Sequence, residues 1–167
     1  ADAVTAKVDG ILLDLQVPLN KGGSLEWTDM SSREGLEVLR HSTSHVMAQA
    51  VQSLFPGAKI TIGPAIREGF YYDFDFDQSF SPEDFPRIEA RMKEIIDRDL
   101  PIVRKTVSRE EALRLFQERG EPYKRELIED LPDSEVTLYQ QGDFIDLCRG
   151  PHLSSTGKIR SLKLTSV

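Results

Sequence analysis

The chain is 167 residues long, 39% hydrophobic and 29% charged, with one cysteine and a net charge of −7; that suits a soluble domain plus a smaller element. No apolar run approaches the roughly 20 residues of a membrane helix, no signal-peptide pattern opens the sequence, and a lone cysteine excludes an internal disulfide, as in a reducing cytosol. The acidic balance excludes a broad basic footprint on nucleic acid, so an RNA partner would be held mainly by other means or touched at one end.

The opening residue is Ala rather than Met, as in a processed or excised polypeptide. From Val4 to Leu15 the residues alternate like β structure around Asp9-Gly10, a two-residue hairpin signal. A turn at Asn20–Ser24 precedes a short strand at Leu25-Glu26-Trp27. About thirty residues of hairpin bury no core alone, so this segment is a fragment or packs on the rest.

A capping box, Ser31-x-x-Glu34, opens a helix that runs to about Leu54, where Phe55-Pro56-Gly57 stops it. Leu36, Leu39, Val46, Met47, Ala50 and Leu54 form its apolar stripe. His41, His45, Ala48 and Gln52 fall opposite, facing a second surface where Ala48 leaves room.

Lys59–Pro64 reads as a strand ending in a turn, and Phe70–Asp77 as a strictly alternating strand, with aromatics on one face and Asp73, Asp75 and Asp77 on the other. Ser81-Pro82-Glu83-Asp84 opens a second helix with Phe85, Ile88, Met92, Ile95 and Ile96 as its buried stripe. Pro101–Val107 reads as a strand, Ser108-x-x-Glu111 caps a third helix that stops at Gly120, and Glu121–Leu127 is a loop or short helix. Two more strands, Val136–Tyr139 and Asp143–Cys148, complete an α+β pattern with an antiparallel sheet and helices packed on it.

All three histidines and the only cysteine lie in two short motifs, HSTSH (His41–His45) and DLCRGPH (Asp146–His152). Two histidines four apart on a helix point the same way, although such a pair also arises as ordinary surface or core histidines. Ser42 follows His41, so the glutamate of the H-E-x-x-H metalloprotease motif is missing. Cys148 and His152 flank the turn Arg149-Gly150-Pro151, or are simply a buried cysteine and a loop histidine. With His41 and His45 they form a feasible tetrahedral zinc set. They are equally a feasible metal-free pocket in which imidazoles and Asp146 move protons and orient water. Alternation puts Asp146 and Cys148 on one strand face. On composition alone Lys124 reads as a solvated charge, Tyr72 as a core aromatic, and the three aspartates as a solvent-facing strand edge.

LRHSTSH (Leu39–His45), IGP (Ile62–Pro64), GFYYD (Gly69–Asp73) and DLCRGPH, in this order and spacing, closely resemble the amino-terminal editing domain of bacterial threonyl-tRNA synthetases. The resemblance covers residues 31–167. Residues 1–30 resemble the latter half of the small ubiquitin-like domain that precedes it in that family. The front half of that domain, the aminoacylation core and the anticodon-binding domain have no counterpart here, so the resemblance implies no ligase activity for this chain.

What the resemblance implies is hydrolysis of serine mischarged onto threonine-specific tRNA, with the 3′ end of that tRNA as partner, no membrane, and a cytoplasmic location. By the same resemblance, His41 and Lys124 organise or activate water and handle the leaving hydroxyl, either one serving as acid or base. Asp146 grips the seryl amino group or helps place water. His45, Cys148 and His152 line the pocket, and Tyr72 contacts the terminal adenosine or the substrate. The related alanyl-type editing domains use the corresponding four donors as metal ligands, whereas the threonyl type resembles a hydrolase that requires no metal. Zinc on His41, His45, Cys148 and His152 is the other option. The rival readings are a non-catalytic zinc-stapled or tRNA-3′-end-binding module, and an alanyl-type trans-editing deacylase.

Overall fold

In the computed structural model, which describes residues 3–167, the chain is α+β, with antiparallel sheets and helices packed together. Strands β1 (Thr5–Val8), β2 (Ile11–Leu13) and β3 (Leu25–Thr28) form a three-stranded antiparallel sheet in the order β2-β1-β3. The β1–β2 turn is the expected Asp9-Gly10, with φ of +49° and +84°; two consecutive positive values are what a type I′ turn demands. This small sheet packs on the rest of the chain: Val4 joins the main core, Lys7 pairs with Glu34 at 2.6 Å, and Gln16 donates to the Ile102 carbonyl.

Helix α1 (Arg33–Leu54) is the axis of the molecule. Its N-cap is Ser32, whose hydroxyl accepts from Gly35 N at 3.0 Å, and not Ser31. Ser31 is taken by Asp29, which accepts from both its amide and its hydroxyl, and Glu34 is drawn to Lys7 instead of closing a box. The middle of the helix is buried on two sides. Val38, Val46, Ala50 and Val51 pack with Ile88, Met92 and Ile95 of α2 (Phe85–Asp97) and with Ile102, Tyr139, Leu153 and Ile159. On the other side Ala48 meets Ile60, Tyr72 and Phe144. The surface behind the histidines is therefore filled rather than open.

The alternation from Phe70 to Asp77 survives while the continuous strand does not. Tyr72 points inward, Phe70, Phe74 and Phe76 pack partly buried against the core, and Tyr71, Asp73, Asp75 and Asp77 are exposed. The ladder is divided: β5 (Ala65–Ile66) pairs with β6 (Gly69–Phe70), and β4 (Lys59–Ile60) with β7 (Phe74–Asp75). Between them Asp73 exchanges backbone bonds with Thr61 and Ile62. Helix α2 is preceded by a 3-10 turn, Pro82–Asp84, in which Ser81 and Asp84 form a reciprocal capping box.

Strands β8 (Val103–Ser108), β9 (Glu135–Gln141) and β10 (Phe144–Leu147) make the main antiparallel sheet, in the order β10-β9-β8. The expected strand at 101–107 thus begins at Val103, and Pro101 instead bridges to Ser155. Ser108 caps α3 (Arg109–Glu118) by accepting from Glu111 N, as its spacing predicts. Residues 122–130 are helical, α4 (Pro122–Asp130), with Pro122 in the first turn. Val136 and Leu138 face Ala112, Phe116 and Ile128 of α3 and α4, while Tyr139 and Gln141 face α1, where Gln141 donates to Gln49. The register sets Asp146 beside Tyr139, with Phe144 and Asp146 both buried. Strand parity has thus carried Asp146 to the face on which the α1 histidines lie.

Candidate active site

Two clusters share this face. In the first, Asp146 (1% exposed) meets Lys124 (3% exposed), Tyr72 and His45. Lys124 Nζ is 2.6 Å from Asp146 Oδ1, an ion pair without hydrogen-bond alignment. The ammonium also donates to the Thr61 carbonyl at 2.7 Å and to the Tyr72 hydroxyl at 3.1 Å. The Tyr72 hydroxyl in turn donates to Asp146 Oδ2 at 2.6 Å. Burial first, and then the Asp146 charge, pushes the Tyr72 hydroxyl far above its usual range, so it stays protonated as a donor.

His45 Nε2 lies 3.4 Å from the same Oδ2. Its imidazole is held well below the usual histidine range by burial, with His41 and Lys124 adding to the effect. It is therefore neutral at pH 7, and its contact with Asp146 is not an ion pair.

The second cluster centres on Cys148, just past the end of β10, whose amide donates to Thr137 O. Its Sγ is 3.4 Å from His41 Nε2 and 3.2 Å from His152 Nε2, and it accepts from Gly150 N at 3.3 Å. Burial pushes the thiol up to about 12, which keeps it neutral. The His152 Nδ1 is 3.0 Å from Ser42 Oγ, which also accepts from Leu153 N. His152 is held well below the usual range by burial, then by His45 and His41. His41 is only half-buried; burial lowers its proton affinity and the Asp146 charge partly opposes this. The rings of His41, His45 and His152 pack edge-on or tilted against one another with centroids 4.3–5.1 Å apart.

All seven residues singled out from the sequence thus fall in one site. Lys124 is a buried charge, where composition alone reads a solvated one: helix α4 turns it inward, and Asp146 and Tyr72 receive it. Asp73, Asp75 and Asp77 stay outside the site, and Asp75 accepts from Tyr123. Several contributors carry no sequence signal of their own. Ser42 and Asp14 hold His152, Tyr139 packs edge-on against its ring, and Gly63 makes room for Tyr72, since a Cβ there would overlap that ring. Glu121 accepts from Ile60 N and Gln52, and so fixes the start of α4.

The fit to a metal ion can be judged from the donors. One ligand atom from each of His41, His45, Cys148 and His152 lies within 4.8 Å of all the others. Tetrahedral zinc wants donors about 3.3–3.6 Å apart, given its bond lengths. The Cys148–His41 contact of 3.4 Å lies in that range, the Cys148–His152 contact of 3.2 Å lies just below it, and the rest would close from at most 4.8 Å, so the donor set suits such an ion.

Residues 136–167 match the family model described as "Threonyl and Alanyl tRNA synthetase second additional domain"; this stretch holds Asp146, Cys148 and His152. The chain is 55% identical over 166 residues to a threonine–tRNA ligase of Rubrobacter xylanophilus, 56% over 165 residues to that of Citrifermentans bemidjiense, and 52% over 166 residues to that of Hahella chejuensis. Each alignment covers 99% of this chain and 26% of the relative. Along nearly its whole length, then, the chain is homologous to about a quarter of these threonine–tRNA ligases, and its residues 136–167 match the second additional domain of threonyl and alanyl tRNA synthetases.

Proposed function

We propose that this chain is an aminoacyl-tRNA deacylase that removes serine from threonine-specific tRNA. In this reading residues 31–167 are the editing domain and residues 1–30 the end of a small ubiquitin-like domain. The partners are the 3′ end of the mischarged tRNA and the catalytic and anticodon-binding parts of a synthetase, in the cytoplasm. A pocket that selects threonine rejects serine weakly, because one methyl is worth only ~1–3 kcal/mol. A second, hydrolytic site removes the error.

The observation that carries this reading is the Lys124–Asp146–Tyr72 cluster set beside three neutral imidazoles. A neutral, half-buried His41 can take a proton from water, and a buried ammonium can give one. Water oxygen bonds to the ester carbonyl carbon while its proton passes to His41. The tetrahedral adduct then expels the ribose oxygen of the terminal adenosine, which leaves as a hydroxyl with a proton supplied by Lys124. Serine and free tRNA are the products, and His41 returns its proton to Lys124 through solvent.

Tyr72 and Lys124 hold both Asp146 oxygens, so Asp146 first fixes these two and His45. It grips the seryl ammonium only where Lys124 yields an oxygen. His45, Cys148 and His152 shape the pocket wall. The reaction as written requires no metal. Zinc, when bound, would sit on His41, His45, Cys148 and His152 and polarise the carbonyl as a Lewis acid.

The test is release of serine from seryl-tRNA by the purified chain and by the chain fused to a full synthetase. Hydrolysis in either form supports the reading, and none in both rejects it. The four-donor cluster also favours a second reading, a zinc-stapled module without catalysis. That module would bind zinc stoichiometrically, and His41→Ala would lower only its stability.

A further inference from the structure

Asp14 reaches the site from the far end of the chain. It directly follows β2 and is only 6% exposed. One oxygen accepts from the His152 amide at 2.9 Å and the other from the Tyr139 hydroxyl at 2.5 Å. Tyr139 packs edge-on to the His152 ring with centroids 4.4 Å apart, and it occupies the space a Cβ on Gly150 would need. Gly150, at φ +74°, lets the chain pass over the phenol. His152 is thus held at both ends, its backbone by Asp14 and its ring by Ser42. Among the described residues, the other polar ties from the small sheet to the body, Lys7–Glu34 and Gln16–Ile102, end away from the site.

We propose that Asp14 is a positioning residue that clamps the Cys148–His152 turn, making the N-terminal sheet part of the hydrolytic site. Hydrogen bonds to an ionised carboxylate are roughly twice as strong as neutral ones and short in geometry. A buried carboxylate with two donors therefore fixes backbone and phenol together. The turn carries Cys148 and His152 at its two ends, so its position sets the distance of both from His41. The proposal rests on the hydrolytic reading given above, and its test separates the two.

The test uses the whole chain as Asp14→Ala, Asp14→Asn and Lys7→Ala, with seryl-tRNA hydrolysis and the amide-proton NMR signal of His152 as readouts. Asp14→Ala lowers kcat about 10- to 100-fold with KM unchanged, the usual scale for losing a supporting hydrogen bond or displacing a group by an ångström. Asp14→Asn restores most of the rate, because its amide oxygen still accepts from His152 N. Lys7→Ala, which breaks the other tie of the same sheet, keeps kcat. The His152 amide proton moves upfield in Asp14→Ala and stays in Asp14→Asn. An Asp14→Ala protein with unchanged kcat or an unmoved amide proton overturns the proposal, as does Lys7→Ala losing as much rate. If neither the unmutated chain nor its fusion to a full synthetase releases serine, the hydrolytic reading fails on its own, and the amide proton still decides the clamp. Should Asp14→Ala not fold, Tyr139→Phe removes only the second donor and gives an intermediate loss of kcat; an unchanged kcat there overturns the clamp.

Discussion

Lys124 Nζ and the Asp146 carboxylate lie 2.6 Å apart, and both groups are all but sealed from solvent. A pair this deep is weak evidence for stability in itself, because desolvating two charges offsets most of their attraction. Removing one member is a different matter, since the other is left buried and uncompensated. Lys124→Met should therefore destabilise the protein by about 3–5 kcal/mol, read as a lower urea midpoint at unchanged slope. Asp146→Asn combined with Lys124→Met should recover part of that loss. A single variant as stable as the parent would mean that the remaining partner finds water or another polar group.

Gly63 has no positive φ to require glycine, yet a Cβ there would overlap the Tyr72 ring. Gly63→Ala should push Tyr72 off Asp146 and cost about 1–3 kcal/mol, as overpacked core sites do. Serine release should fall along with stability. A variant with parental stability and rate would show that the Gly63–Tyr72 contact relaxes freely.

Acid should weaken the fold through His45 and His152. Both are kept neutral by burial, with folded-state affinities well below the usual histidine range, while the unfolded chain protonates them near pH 6.5. The unfolded state then binds more protons, so stability rises with pH in this window. It is fully present above about pH 6.5 and falls as pH drops below it, by up to about 1.4 kcal/mol per pH unit for each histidine. Urea unfolding of chelator-treated protein at pH 7.0 and 5.5 measures the slope, and a flat profile would contradict neutral burial.

Chelation separates the two chemistries of the four-donor cluster. Seryl-tRNA hydrolysis should survive exhaustive removal of zinc, with His41 and Lys124 supplying the proton transfers. In that state the Cys148 thiol, pushed up to about 12 by burial, should alkylate slowly at pH 8. Activity lost with zinc and restored by it would transfer the chemistry to the metal.

Much of this architecture is legible in local pattern, because local pattern is set by local physics. The Asp9-Gly10 turn, the Ser108 cap, the alternation of Phe70–Asp77 and the shared face of Asp146 and Cys148 all follow from neighbouring residues. The misreadings arise where two local signals compete or a distant one intervenes. Ser31 and Ser32 both suit a cap, and Asp29 decides by binding the first. The α1 periodicity identifies one apolar face, but Ala48 and His45 bury a second that lacks large hydrophobes. Lys124 looks solvated until β10 supplies its carboxylate. Asp14 and His152 are 138 residues apart, and no spacing rule joins them. The motifs themselves stand out because His41, His45, Cys148 and His152 concentrate the chain's imidazoles and its thiol in two short stretches.

In the proposed reaction His41 takes the proton of the attacking water at a site that discriminates serine from threonine. Its most direct test is hydrolysis of seryl- and threonyl-tRNA side by side, by the parent chain and by His41→Ala. Serine should be released in preference to threonine, and the rate should fall about 10²–10⁴-fold in the variant, the range for losing a general base, with tRNA affinity retained. Equal hydrolysis of the two esters, or an undiminished rate in His41→Ala, would contradict it.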